Sequence, residues 1–393
     1  MPVCSGQSDE LILMRPGIKQ KAVLASQSLC TGCGICASVC PKSCIQMREG
    51  YLGHLYPGID HSSCVGCGVC ERICPALHPL PLQPIVSAYA SWSMDERVYK
   101  TATSGGIATE LSKAIIRKGG VVYGCAMLPD VEVKHIRVDS LEELEKLKSS
   151  KYVQSSLIEA IPALKKDVAE GKPVLFIGTP CQVSAVKALY RIQPESLFLV
   201  DLICHGVPSA RMLKDFVRKL VPGRVCTNVT FRNGNAYILR LWENDLLVCA
   251  LPLRSPQYRN YYLDAFMDGY TFRDSCYQCR FAGPDRIGDI TLGDFWGLGK
   301  YASLEKMPDH PYGCSVVLPI TDKGVSLLAE TESSIELYQR DKREAIEGNT
   351  QLQRPVRMTK RIRFFRQVQR IVFWPEFYRW INLDRILTSR LGK

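Results

Sequence analysis

Two short stretches limit what this chain can fold into more than anything else in it. "CTGCGICASVCP" sets cysteines at 30, 33, 36 and 40 with Pro41 behind them, and "CVGCGVCERICP" repeats the spacing at 64, 67, 70 and 74 with Pro75. Two residues between thiolates let a tight loop wrap one face of a metal-sulfur cube. The glycines between them permit positive-φ turns and leave backbone N–H groups facing sulfur. Zinc ribbons pair two Cys-x-x-Cys units and do not repeat a four-cysteine run closed by proline. The pattern is that of two 4Fe-4S clusters, in which the fourth cysteine of each run ligates the other cluster. It assigns Cys30, Cys33, Cys36 and Cys74 to one cluster and Cys64, Cys67, Cys70 and Cys40 to the second.

Eighteen cysteines in 393 residues could also suggest a secreted disulfide scaffold. A chain this long has no need of stapling, and ten of the eighteen fall in the first 74 residues, eight of them at metal-ligand spacing. No apolar run reaches the ~18–20 residues of a spanning helix, and "MPVCSGQSDELILMRPG" lacks the charged-then-apolar order of a signal peptide. The expected compartment is a reducing cytoplasm. Of the net charge of +11, the last 40 residues carry +9, from 11 Lys and Arg against Glu376 and Asp384. The basicity belongs to a tail, which argues against a nucleic-acid-binding protein as a whole.

Three regions follow. Residues 1–84 are cysteine-rich and close on the proline-rich "CPALHPLPLQP". Residues 85–340 alternate strand-like runs ("IVSAYAS", "GVVYGCAM", "VEVKHIRV", "PVLFIG", "LFLVDLIC", "IGDITLGDF", "CSVVLPIT") with helical patterns such as "GIATELSKAIIRKG" and "SLIEAIPALKKDVAEGK", each ended by Gly. Residues 341–393 form the basic tail. In it "RIRFFRQVQRIVFW" sets Phe364, Phe365, Val368, Ile371 and Val372 on one helical face with arginines opposite, and "EFYRWINLDRIL" resumes the pattern after Pro375. Such a face docks on the protein's own core or a partner, or lies on an anionic membrane surface.

The remaining cysteines include a further Cys-x-x-Cys, Cys276 and Cys279 in "RDSCYQCRF". In "VLFIGTPCQVSAV" a strand ends at Gly178 and Pro180 suits the first turn of a helix. Cys181 would then sit at a helix N-terminus, where the dipole lowers a thiol pKa. Cys204 ends the strand-like "LFLVDLIC". Strand ends on one edge of an α/β sheet converge where such folds bind ligands. Buried structural thiols are the alternative for Cys181 and Cys204. Cys4, Cys44, Cys125, Cys226, Cys249 and Cys314 read as small core residues or incidental thiols.

No GxGxxG and no GxxxxGK[ST] occurs. The best phosphate cradle is Ser104, Gly105 and Gly106, opening an amphipathic helix; a plain N-cap and turn is its alternative. "GDITLGDFWG" holds Asp289 and Asp294, for which capping or loop bracing is as good an account as any function. His205, beside Cys204, is the one histidine in a suggestive setting.

Residues 1–84 resemble a two-cluster bacterial ferredoxin. "SGGIATELSKAIIRKGGVVYG", "SSKYVQSS", "GTPCQ", "DLICHGVPS" and "CYQCRFAGPDRIGDITLGDFWG" resemble, in order, the motifs of the coenzyme F420 hydrogenase/dehydrogenase beta-subunit family over residues 86 to about 335. The family includes a plant hydroxymethyl-chlorophyll reductase and bacterial members that look like this one. The resemblance implies a small ferredoxin-like α+β domain, a larger mixed α/β domain holding FAD, and a third 4Fe-4S cluster on Cys181, Cys204, Cys276 and Cys279. It implies that Ser104, Gly105 and Gly106 cradle a flavin phosphate, that Lys151, Tyr152 and Ser155 reach the flavin ring or its phosphates, and that Gly178 and Thr179 add contacts.

The implied function is an FAD and iron-sulfur oxidoreductase, taking electrons from a ferredoxin or other low-potential donor to a small-molecule or saccharide-linked substrate. The alternative is a beta-type electron-transfer subunit of a larger dehydrogenase or hydrogenase complex using coenzyme F420. No residue stands out as a proton donor.

Overall fold

The computed structural model describes residues 22–255, 260–305 and 307–368. The N-terminal part contains one antiparallel hairpin, β1 (Ile45–Glu49) and β2 (Leu55–Ile59), and two short helices, Ile35–Ser38 and Val69–Arg72. The two halves repeat in backbone as well as in sequence. Gly32 and Gly66 have φ of 67° and 70°, and Gly34 and Gly68, which open the short helices, have φ of 74° and 66°. Any Cβ at these positions would strain the loops that place the cysteines.

The larger part is built on one eight-stranded mixed sheet. Its strands are β3 (Ala88–Ser93), β4 (Val121–Leu128), β5 (Glu132–Val138), β6 (Val174–Gly178), β7 (Leu197–Leu202), β11 (Ile290–Asp294), β12 (Ser315–Pro319) and β13 (Ile335–Arg340). They stand in the order β13-β3-β12-β11-β7-β6-β4-β5. Strands β11, β7, β6 and β4 are parallel, flanked by antiparallel neighbours. Those four strands are apolar along nearly their whole length and lie under helices, as parallel strands buried on both faces must be. A second, three-stranded antiparallel sheet, β8 (Asn228–Asn233), β9 (Ala236–Glu243) and β10 (Leu246–Pro252), is inserted between β7 and β11. All seven expected strands of the main sheet are present, and β13 joins them although the sequence pattern did not suggest it. The small sheet was not anticipated either.

The ferredoxin-like part does not hang on a linker. Ile35 is buried in the same core as Leu157, Ile161, Leu164 and Phe176, with Cys33 and Val39 packed against it. Gln83 pairs its backbone with Arg286, fixing the proline-rich run to the larger part. Within the tail, the helix Lys360–Val368 docks on the protein itself. Ile362 and Phe365 are fully buried beside Leu263 and Tyr270. The expected face needs one correction, since Phe364 is 44% exposed and Ile362 takes the inward position. Arg366, expected opposite, is buried because it finds partners there, donating to the Phe272 carbonyl at 2.7 Å and to the Asp274 carboxylate. Ile371, Val372 and the second half of the tail pattern lie outside the described residues. Among the described residues no helix is long and apolar enough to cross a membrane.

Candidate iron-sulfur and flavin site

In the N-terminal part the cysteines gather as two crossed sets. Burial raises the pKa of Cys30, Cys33 and Cys36, and Cys74 of the other run adds its own charge to each. Cys40, conversely, lines one pocket with Cys64, Cys67 and Cys70. Cys44 lines the same pocket, its Sγ 3.4 Å from that of Cys40. Burial pushes the Cys40 thiol up, but hydrogen bonds from the Cys44 and Lys42 backbone and from the Cys44 thiol outweigh it and leave it below the ordinary value. Cys44, which no spacing separates from the core thiols, is thus a neighbour of the second set.

The other four cysteines come from three distant segments. Cys181 is the second residue of the helix Pro180–Lys187, whose start is fixed by a reciprocal cap between Thr179 and Gln182. Cys204 follows β7, Cys276 lies in the 3-10 turn Asp274–Gln278, and Cys279 ends that turn. The structure brings them together. Cys204 feels Cys276, Cys181 and Cys279, and Cys276 feels Cys279 and Cys181.

The depressed Cys181 pKa expected from the helix N-terminus is not found. Burial pushes it up to about 11, because desolvating a thiolate outweighs half a helix charge. Burial likewise raises Cys204, and Cys276 to about 12. Among the described residues no group of three or more His, Cys, Asp or Glu gathers around a point that could hold a single metal ion.

The flavin candidates form one connected band along the carboxyl edge of the parallel strands. Gly105 donates its N–H to Ser315 Oγ at 2.9 Å, and Ser315 Oγ–H donates to Ser104 Oγ at 3.1 Å. A Cβ on Gly105 would stand 2.2 Å from the Ser91 carbonyl oxygen, so strand packing alone demands glycine there. Gly106, at φ 83°, starts the helix Ile107–Arg117 with no side chain capping its first N–H groups.

Lys151 is not a solvated lysine. Its ammonium is held by the Leu147 and Lys148 carbonyls at 2.8 and 2.5 Å, and burial lowers its pKa to about 8. Tyr152 stacks on Phe266 and Tyr237. Ser155 is buried between His135 Nδ1 (2.9 Å) and Gln182 Nε2 (2.9 Å), and through Gln182 it connects to Thr179 and so to Gly178 and Cys181.

Sequence reasoning missed the residue that ties this band together. Arg232, buried on β8, donates to the Thr103 carbonyl (2.9 Å), the Tyr152 hydroxyl (3.2 Å) and the Asp294 carboxylate (3.0 Å). It lies in the unanticipated small sheet, and no spacing signals it. Asp294 therefore serves Arg232. Asp289 braces loops, accepting from Leu199 N–H, Gln193 and Thr321. His205 has both ring nitrogens engaged, with the Met267 carbonyl and the Gln351 amide, and burial lowers its pKa.

Residues 171–344 match the family described as the C terminus of the beta subunit of coenzyme F420 hydrogenase/dehydrogenase, and residues 29–77 match the 4Fe-4S dicluster domain. The match bears out the expected resemblance to the coenzyme F420 hydrogenase/dehydrogenase beta-subunit family over residues 171–344. As expected, the chain carries the iron-sulfur domain at its N-terminal side and the mixed α/β part behind it. Among solved structures, a chain of the F420-reducing [NiFe] hydrogenase complex from Methanosarcina barkeri is similar. It is 21% identical, covering 65% of this chain and 82% of that one, with a TM-score of 0.46. Comparison with curated proteins finds no match.

Proposed function

We propose that the chain is an iron-sulfur flavoprotein oxidoreductase of the cytoplasm. In this reading it takes electrons from a ferredoxin-type or other low-potential donor and passes them on, as a hydride or an electron pair, to a small-molecule or saccharide-linked substrate. The observation that carries it is the convergence of Cys181, Cys204, Cys276 and Cys279 from three segments, beside the loop of Cys30 and next to the band of flavin candidates.

Four thiols that converge from three segments suit a cubane, whose ligands stand wider apart than the four held ~2.3 Å from a zinc. Cys30, Cys33, Cys36 and Cys74 would hold one cluster, Cys64, Cys67, Cys70 and Cys40 a second, and the converging four a third. When bound, clusters supply one-electron steps and FAD couples them to two-electron chemistry.

The chain's own residues do the rest. The uncapped start of Ile107–Arg117 offers N–H groups to a phosphate, with Ser104, Gly105 and Gly106 shaping the approach. Arg232 fixes Tyr152 against the Thr103–Ser104 turn. The Ser155–Gln182–Thr179 bridge fixes Gly178 and Cys181 beside them, and Lys151 keeps a titratable positive charge within the band.

Counting iron, acid-labile sulfide and released flavin per chain after anaerobic purification tests this. About twelve irons and one FAD are expected, falling to about eight irons in Cys276→Ser. About eight irons at the outset, unchanged by that substitution, would remove the third cluster from the reading.

The family's own description favours a second reading, a beta-type subunit of a larger complex using coenzyme F420. Turnover of the purified chain alone, with reduced ferredoxin and an acceptor, would decide for independence.

A further inference from the structure

Arg273 lies between two cysteine sets. Its carbonyl accepts from the Cys276 N–H at 3.0 Å, and its own N–H donates to the Val207 carbonyl at 3.1 Å, so its backbone belongs to the turn of the converging set. Its side chain runs the other way. The guanidinium donates to the Cys30 carbonyl at 3.3 Å, the Leu55 carbonyl at 2.7 Å and Gln154 Oε1 at 3.1 Å, with the Tyr56 ring 4.6 Å away. The Gln154 amide in turn donates to the Thr31 carbonyl at 2.8 Å. The guanidinium sits so close to the first cysteine loop that a Cβ on Gly32 would stand 2.3 Å from Nη2.

Four arginines are buried among the described residues. Arg232, Arg286 and Arg366 hold Asp294, Asp201 and Asp274. Arg273, 1% exposed, pairs with no carboxylate among the described residues, and its hydrogen-bond acceptors are all neutral. A cation taken out of water requires an anion. Two cysteine sets flank it instead, the Cys30–Gly32 loop against its guanidinium and the Cys276 turn on its backbone, so a cluster on either would supply the missing negative charge.

We infer that Arg273 is a positioning residue that clamps the Cys30–Gly32 loop against the turn of Cys276, and that its charge is the counter-ion shared by the first and third cysteine sets. A fixed positive charge stabilises the reduced, more negative state of whatever those thiolates ligate, so it raises the potential on both sides at once. The inference rests on the cluster assignment proposed above.

The test is an anaerobic redox titration of the full chain followed by electron paramagnetic resonance, with iron counted on the same samples. Arg273→Gln should keep about twelve irons and lower two of three midpoints. Each should move by at least a tenfold change in the reduced-to-oxidised ratio at fixed potential, about 59 mV for one electron. The third midpoint, that of the Cys40, Cys64, Cys67 and Cys70 set, should stay in place and serves as the internal control.

Arg273→Lys keeps the charge and should recover most of the shift. Full iron with unmoved midpoints, three midpoints moved equally, or a lysine variant as low as the glutamine one would each overturn the inference. If Arg273→Gln does not hold its iron, Gln154→Met replaces it as the test. That variant removes one of the three acceptors that hold the guanidinium while leaving the charge and every cysteine in place. A smaller displacement of the same two midpoints is then expected, and unmoved midpoints overturn the inference. Only about eight irons in the unsubstituted protein would instead bring down the cluster assignment itself, and the inference with it.

Discussion

Removing the charge of Asp201 should be among the costliest single changes available in this fold. Asp201 is fully buried on β7, three residues before Cys204, and holds the Arg286 guanidinium. It also accepts from Gly288 N–H at 2.8 Å and Thr291 Oγ1 at 2.9 Å. Arg286 adds bonds to the Phe281 carbonyl at 2.9 Å and to Thr291 Oγ1 at 3.1 Å, so the pair fixes the run from Cys279 to β11 against the strand that ends at Cys204.

Asp201→Asn is nearly isosteric but leaves a guanidinium uncompensated in the interior, which costs about 3–5 kcal/mol. Arg286→Met strands the carboxylate and belongs in the same range. The double variant Asp201→Asn with Arg286→Met leaves no charge behind and should be far less destabilised than the sum of the singles. Urea unfolding midpoints by circular dichroism, on samples of matched iron content, give the cycle. Iron counts should show the loss from Asp201→Asn confined to the third of the iron assigned to the converging cysteines. A cost below about 1 kcal/mol for Asp201→Asn, or strict additivity of the two sites, would overturn this account of the pair.

Two further outcomes follow from single residues. Burial pushes the Asp167 carboxyl up, but Arg137, Tyr123 and Lys172 outweigh it and hold it at about 2. Its folded pKa lies below its unfolded one, so its contribution of at most about 2 kcal/mol is present above pH ~4 and lost as pH falls from ~4 towards ~2. Asp167→Asn should flatten acid denaturation in that window. In the tail helix, Phe365→Ala should cost about 3–5 kcal/mol by unfolding midpoint, and Phe364→Ala, on the exposed side, markedly less.

The parts of the chain that sequence made legible are those where chemistry or packing imposes a local period. The eight motif cysteines announce themselves by spacing, and the apolar runs of β4, β6, β7 and β11 by continuous burial. β8 escaped because "NVTFRN" opens by alternating polar with apolar residues, as a sheet half open to solvent does, and so lacks that continuous signal. Arg273, Gln154 and Arg232 escaped for a different reason. Each acts across separations of about 60 to 240 residues, and nothing within a few positions of them reveals the partner. Cys181 does stand at the start of its helix, yet its acidity was expected with the wrong sign, because the dipole acts locally while burial depends on the whole fold.

The Arg366 contacts give the molecule an order of completion. The eight motif cysteines have all been synthesised once residue 74 is made, and the converging four once residue 279 is made. The turn that holds Cys276 is fastened by an arginine almost ninety residues further on, which bonds the Phe272 carbonyl and the Asp274 side chain. A nascent chain therefore carries two finished cysteine motifs for most of its synthesis, while the last fastener of the third set arrives long after both.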